Sequence, residues 1–437
     1  MNKHKIVKNA SWIIGIQLVK AVLGIFVSML TARFLGPSDF GLINYAASIV
    51  AFVTPIMNLG LTGVLVQELV NSPEDEGKIL GTSVSLSFFS SLLCIAGVVS
   101  FAATVNHGET ETLIVCALYS ILLIFQSLEL VLYWFQAKLL SKYTSIASLF
   151  AYIAVAVYKI MLLVSGKSVF WFAISNSIDY ALISVTLLVI YLKIGKQRLS
   201  VSLSLGREML KRSKHYIVSA MMVAIFQQTD RIMLKLILNQ TETGYYSAAI
   251  TCVGVTGFVF LAIIDSFRPE ILEAKRHNTE HYEEEICTLY SIITYLALMQ
   301  CIVMTVLAKP IVLVLYGSAY SASVVPLRIA VWYSTFSYYG PVRNIWILAE
   351  GKQKYLWIIN LSGVVMNVTL NAILIPVSGA TGAAIATVIT QFFTNVIIGF
   401  ILKPIQYNNK LMFLGLNPKP FATLCKKTIL VIKRRGK

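Results

Sequence analysis

Charge is what this 437-residue sequence has least of. Only 13% of its residues are Asp, Glu, Lys or Arg, against about a quarter in ordinary soluble domains. Meanwhile 57% are hydrophobic and the mean hydropathy is +0.76. That balance excludes a soluble globular domain. Histidine is scarce as well, five in all, and none lies in an apolar run, so a metal triad built on intramembrane histidine is excluded. The six cysteines (94, 116, 252, 287, 301 and 425) have neither pairing nor ligand spacing. That argues against a disulfide framework or a zinc site, and five of them, in or beside apolar runs, read as small core residues. No cleavable signal peptide is evident, because the first apolar run is long enough to span and the next follows at once.

What is there is apolar sequence in runs of about twenty residues, the length that crosses about 30 Å of hydrocarbon as helix. Twelve such spans are expected, near 10–32, 40–65, 79–103, 111–136, 144–164, 168–192, 216–238, 245–265, 286–308, 324–348, 355–376 and 380–402. Runs of this length are not the alternating ten-residue strands of a barrel. The expected fold class is therefore all-α and integral to the membrane.

The formal charge of +16 does not point to nucleic acid, because of where it falls. Lys and Arg gather in the N-terminal tail, the loops after spans 4, 6, 8 and 10, and the C-terminal tail, whereas loops on the other side carry only Arg33, Lys167 and Lys309. This is the positive-inside bias, and it sets both termini in the cytoplasm. One loop dissents: residues 66–78 are acidic, with Glu68, Glu74, Asp75 and Glu76.

The longest break before the tail falls between spans 6 and 7, and it divides the chain into a first bundle (1–195), a basic connector (196–215), a second bundle (216–405) and a basic tail (406–437). Six being even, span 7 enters from the same side as span 1, so the repeats are parallel. A substrate site between them is the expectation. The halves share an echo: ARFLGPSDFGLINYAAS (32–48) and DRIMLKLILNQTETGYYSAA (230–249) both run from an arginine through a polar break to a glycine, tyrosine and an Ala-Ala pair. The tail, with KKTILVIKRR late in it, suits a short interfacial helix held by anionic lipid.

Charges placed inside the spans cost about 2.5–3.5 kcal/mol each at a helix centre and are functional candidates by default. In span 1, Gln17, Lys20, Ala21, Gly24 and Ser28 make one polar or small face; in span 7, Gln227, Arg231 and Lys235 do the same, with Gln228 beside them. A cationic stripe at matching places suits an anion, Arg by its bidentate fork and Lys as a point charge. The plain alternatives are that Arg231 and Lys235 reach to the outer interface and that Lys20 is paired with a carboxylate. Arg343, after Gly340-Pro341 in span 10, is a further cation, and Arg33 stands at the outer edge. Asp230, Glu129 and Asp179 are candidates for proton or sodium coupling or for gating. For Asp179 the simpler expectation is an ion pair with Lys159. Pro55 and Gly340-Pro341 are expected to break spans 2 and 10, and Asn367 and Asn371 to join helices.

Several stretches resemble a known family. KNASWIIGIQLVKAVLGIFVSMLTARFLGPSDFGLINYAASIVAFVTPIMNLGL at the start is similar to Wzx-type polysaccharide flippases of bacteria. WFQAKLLSKY (134–143), QQTDRIMLKLILNQTETGYYSAA (227–249), LYGSAYSASVVPLRIA (315–330) and NVTLNAILIPVSGATGAAIAT (367–387) continue the likeness through both halves. The resemblance implies the multidrug/oligosaccharidyl-lipid/polysaccharide (MOP) exporter superfamily, whose fold is two six-helix bundles in a V around a central cavity. It implies movement of undecaprenyl-pyrophosphate-linked repeat units by alternating access, a cavity in which Lys20, Arg33 and Arg231 meet the pyrophosphate, a bacterial plasma-membrane location, and polymerase and other polysaccharide-assembly proteins as partners. No enzymatic activity or cofactor is expected: outer loops are short and no catalytic triad or nucleotide-sugar motif is present. The alternative is an ion-coupled exporter of small molecules, and the basic cavity speaks against cationic drugs.

Overall fold

Glycine, rather than a polar loop, breaks two of the longest helices of this protein. The computed structural model describes residues 3–277 and 279–423, and gives only the backbone of residues 3–18, 21 and 22. The side chain of Gln17 and the tail segment 424–437, including Cys425, thus lie outside the described residues. No strand occurs among the described residues, and each of the twelve expected segments is helical. Among the described residues, seven helical segments are long and apolar enough to cross a bilayer, and a bent pair, Gln240–Gly254 with Gly257–His277, makes an eighth. Two of the seven hold two expected spans each. In α1 (Lys3–Met57) the break is Gly36, at φ 72° and ψ 174°, followed by Pro37, whose ring suits the first turn of the resumed helix. The segment 355–402 also breaks at a glycine with positive φ, Gly379 (53°). The two remaining spans fall short on polarity and length: 216–238 carries Gln227, Gln228, Asp230, Arg231 and Lys235, and 324–348 is split at Val331–Trp332. The chain is a multi-pass helical membrane protein.

Two compact units divide at Gly244/Tyr245, and the seventh span lies within the first of them. The first unit comprises α1, α2 (Leu65–Asn71), α3 (Glu76–Val105), α4 (Thr110–Ser120), α5 (Leu122–Glu129), α6 (Leu132–Ala137), α7 (Ser141–Val164), α8 (Val169–Ile194) and α9 (Leu203–Ile237), with the start of α10 (Gln240–Gly254). One buried cluster of this unit joins Leu42, Tyr45, Val50, Val98, Val115 and Leu123; a second joins Leu61, Leu80, Trp134, Phe135, Leu187 and Tyr191. Span 4 is broken twice, at Ile121 and at Leu130–Val131, with neither Gly nor Pro to announce it.

The basic connector is shorter than its charge pattern suggests. Ser202 caps a helix that runs unbroken from Leu203 to Ile237, its hydroxyl accepting from Leu205 N, so the charged stretch 203–215 is a helical extension of span 7. The extended piece 195–202 straps onto the acidic loop. Gln197 Nε2 donates to the carbonyls of Pro73 (3.1 Å) and Glu74 (2.7 Å), and its Oε1 accepts from Gly77 N (3.0 Å). A Cβ on Gly77 would lie 2.4 Å from the Arg198 carbonyl oxygen, so only glycine permits this approach. Arg212 pairs with Glu68 (2.6 Å), and Lys138 with the buried Glu76 (2.7 Å). The acidic exception at 66–78 thereby acquires a physical reason: it is the counter-charge of neighbouring basic segments.

The second unit contains the rest of α10, α11 (Gly257–His277), α12 (Thr279–Leu315), α13 (Val324–Ala330), α14 (Tyr333–Ala349), α15 (Leu356–Phe392), a π-helical turn at Phe393–Ile397, α16 (Ile398–Ile401) and α17 (Gln406–Leu414). Its core holds Tyr282, Tyr290, Tyr339, Trp346 and Ile347. Helix α14 continues through Pro341, so the break in span 10, at Val331–Trp332, lies nine residues before the proline that was expected to make it. Asn371 donates to Asn367 at 3.2 Å with both buried. Cys94, Cys116, Cys252 and Cys301 are buried packing residues.

Candidate functional site

The polar residues of the first unit converge where two of its spans are interrupted. Span 2 loses its helix after Pro55: α1 ends at Met57, Leu59 and Gly60 adopt left-handed conformations (φ 51° and 65°), and a single 3₁₀ turn, Leu61–Gly63, follows. A left-handed leucine is strained, by about 1–3 kcal/mol. It is held by its carbonyl, which accepts from Ser213 Oγ at 2.7 Å. Span 4 breaks just after Glu129, the last residue of α5. Between these two breaks lies a cavity of about 230 Å³ lined by Asn58, Thr62, Gln126, Glu129 and Tyr133 with two leucines.

Glu129 belongs to a wider set of charges. Its carboxylate is in the field of Lys20 on α1 and Asp179 on α8, and Asp179 in turn feels Lys20 and Lys159. Lys20 stands 5.6 Å from the centroid of the Tyr152 ring on α7, within reach of a cation–π attraction. One turn on, a Cβ at Gly24 would come 2.9 Å from the Tyr152 hydroxyl, so the small face of span 1 makes room for that tyrosine. The expected ion pair between Lys159 and Asp179 is not closed. Lys159 Nζ donates to Asn176 Oδ1 at 3.4 Å, and Asp179 Oδ1 is buried without a hydrogen-bond partner. The reason is the second cation: one carboxylate faces two lysines from different helices and is shared between them.

Arg231 on α9 donates to Gln228 Oε1 at 3.3 Å and lies in the field of Tyr119, which neighbours Tyr180 and Asn176. It thus borders the same polar set from a sixth helix. Asp230 is buried and Gln227 exposed. Lys235, although in line with Arg231, is already engaged: it is buried and pairs with Glu109 at 2.6 Å. That ammonium and the Thr112 hydroxyl hold the Glu109 carboxyl below its ordinary range. Arg33 is exposed.

The two echoed junctions meet directly. A Cβ at Gly41 would lie 1.8 Å from the Gln240 carbonyl oxygen and 2.7 Å from Gly244 N, and one at Gly244 would lie 1.9 Å from the Pro37 oxygen. Gln240 Nε2 donates to Ser38 Oγ at 2.7 Å. The matched glycines are therefore a backbone-to-backbone contact within the first unit. Sequence reasoning found the echo but not this use of it.

Arg343 belongs to the second unit. It is buried and donates to the Thr394 carbonyl at 2.6 Å, with its Nε unpartnered. Thr394 belongs to the π-helical turn, which leaves carbonyls without their usual partners, and Asn409 Nδ2 serves another, Val396 O, at 2.7 Å. The arginine braces that turn. Asn58, Thr62, Gln126, Tyr133 and Tyr152 were not singled out from the sequence; the proline in span 2 was the one signal pointing toward them.

The fold is that of transporters of the MOP superfamily. The lipid II flippase MurJ in an inward closed conformation is similar over 94% of this chain and 92% of its own, at 15% identity and a TM-score of 0.68. An inward-facing MATE-family multidrug resistance transporter is similar over 90% and 95%, at 13% identity and a TM-score of 0.67. A MOP superfamily transporter from Pyrococcus furiosus, described as having a binding pocket of reversed polarity, matches over 92% and 93% at 14% identity and a TM-score of 0.53. No curated protein sequence matches the chain. Residues 6–275 match the family described as polysaccharide biosynthesis protein, and the chain belongs to that family.

Proposed function

We propose that this protein is a flippase that carries undecaprenyl-pyrophosphate-linked oligosaccharide repeat units from the inner to the outer leaflet of the bacterial plasma membrane. The observation that carries the proposal is Lys20, a cation on a membrane-spanning helix whose ammonium is held by a tyrosine face and two distant carboxylates, with no contact ion pair among the described residues. A lysine so placed is able to exchange its weak partners for a pyrophosphate. Arg231, with Gln227 on its helix face, and Gln17, one turn before Lys20, are the further head-group ligands, and Arg33 is a rim residue. Lys235 and Arg343 have their own partners and are not assigned to the substrate. Family membership and the flippase named among the structural neighbours support the same direction.

The cycle is alternating access: the head group and sugars load from the cytoplasmic side while the polyprenyl tail stays in lipid. Both termini are then cytoplasmic, and membrane lipids and the polymerase of polysaccharide assembly are the partners. A proton or sodium gradient resets the cycle through Asp179, balanced by Lys159, and through Asp230. Export of small molecules by an ion-coupled mechanism is the second reading, favoured by the MATE-family likeness. Flipping of a lipid-linked glycan by the reconstituted full chain separates the two. Lys20→Ala is expected to slow it at least about tenfold, the cost of one charged hydrogen bond; an unchanged rate would remove Lys20 from the site.

A further inference from the structure

We propose that the cavity between the breaks of spans 2 and 4 is a subsite for one pyranose ring of the glycan, with Glu129 as its specificity-determining carboxylate. The proposal rests on the flippase reading for its substrate and assigns Glu129 to recognition instead of ion coupling.

Size is the first ground. At about 230 Å³ the cavity has the volume of about eight waters at about 30 Å³ each. A bare monovalent cation would leave most of it wet, and a lipid tail would find it too polar. A polyol ring fills it. The donor set is the second ground. Asn58 and Gln126 each present a planar amide, Glu129 a carboxylate, and Thr62 and Tyr133 hydroxyls, on four separate segments. Such groups bond vicinal hydroxyls in pairs, and Tyr133 adds a ring against which a sugar face packs. Two leucines complete the apolar part of the wall.

Incomplete satisfaction is the third ground. Gln126 Oε1 is buried without a hydrogen-bond partner, and buried carbonyl oxygens normally have one. It calls for a donor, which a hydroxyl, amine or N-acetyl N–H of a sugar supplies. Place is the fourth. Glu129 is within the electrostatic field of Lys20, so a pyrophosphate on Lys20 would present the sugar joined to it toward this cavity. A sugar bearing an amine or amide hydrogen would gain most from the carboxylate, whereas an acidic sugar would be repelled. Sites built to bond a hydroxyl or N–H discriminate strongly against analogues lacking it, because their buried polar groups are left unpaired.

The test is saturation-transfer NMR on the full chain in nanodiscs, with a panel of free hexoses: neutral, N-acetylated, amino and uronic. Transfer to at least one neutral, N-acetylated or amino sugar is expected, with uronic acids weakest. Glu129→Ala should weaken binding about ten- to hundredfold, and Asn58→Ala, on a different segment, should weaken it as well. The isosteric Glu129→Gln guards against a folding defect and should keep neutral-sugar binding while losing the preference for the amine. No transfer to any sugar, or transfer that survives both alanine variants, would overturn the subsite. A Glu129-dependent sodium signal in place of a sugar signal would overturn it too, in favour of a cation site. Sugar binding that needs Glu129, in a protein that flips no lipid-linked glycan, would uphold the subsite and refute the flippase reading.

Discussion

Adding a single methyl group at Gly41 should separate the two echoed junctions. A Cβ there would lie 1.8 Å from the Gln240 carbonyl oxygen, whereas ordinary contacts begin near 3.5 Å, so the backbones must part by about 1.7 Å. Neither atom belongs to a rotatable side chain, and the Gln240–Ser38 hydrogen bond depends on the same spacing. Overpacking of this kind costs about 1–3 kcal/mol or more. Gly244→Ala should cost a similar amount, since its Cβ would meet the Pro37 oxygen at 1.9 Å. The double variant should cost less than the sum, because one separation relieves both clashes. Gly97→Ala is the control: nothing lies within 4 Å of its Cβ, and alanine is the better helix former by about 1 kcal/mol. Thermal unfolding of the full chain in detergent provides the assay. If Gly41→Ala unfolds at the wild-type temperature, or Gly97→Ala falls as far, the contact between the junctions is not the tight one described.

The Lys235–Glu109 pair should respond asymmetrically. Glu109→Gln strands a buried ammonium and should destabilise by about 3–5 kcal/mol, whereas Lys235→Met leaves a half-exposed carboxylate and should cost little; equal losses would contradict this. The Glu109 carboxyl titrates below its ordinary value of 4.5, so the pair's stabilisation should be complete above that pH and fade as the pH falls through the lower, folded value. The unfolding temperatures of wild type and Glu109→Gln measured across pH 3–7 should therefore converge at the acid end. At the strap, Gln197→Ala removes three hydrogen bonds to residues 73–77, worth about 1 kcal/mol each. Hydrogen exchange should rise at the amides of Gly77 and Ser200, whose mutual bond is 3.2 Å, and stay level in α12; unchanged protection at Ser200 would refute the strap.

Much of this protein was legible as sequence because the bilayer leaves few solutions. A run of twenty apolar residues has to be helix, since no water is present to satisfy its backbone, and so the twelve segments could be read directly, though not where each helix begins, ends or breaks. The intramembrane charges were legible for the same reason: Lys20, Glu129, Asp179 and Arg231 stand out because hydrocarbon makes each of them expensive. Partner choice was not legible. Lys235 and Arg343 looked like Lys20 and Arg231 along the chain, yet one holds Glu109, 126 residues away, and the other a carbonyl of a π-helical turn. Those pairings depend on helix packing, which no local pattern encodes. The breaks in span 4 were hidden as well, because no glycine or proline marks them. The sequence by itself determined a helical membrane protein with cations where lipid should be. Tertiary structure alone decided that Lys235 is held by Glu109 and Arg343 by a backbone carbonyl, and that a cavity opens beside Glu129 where two broken helices leave their polar groups facing each other.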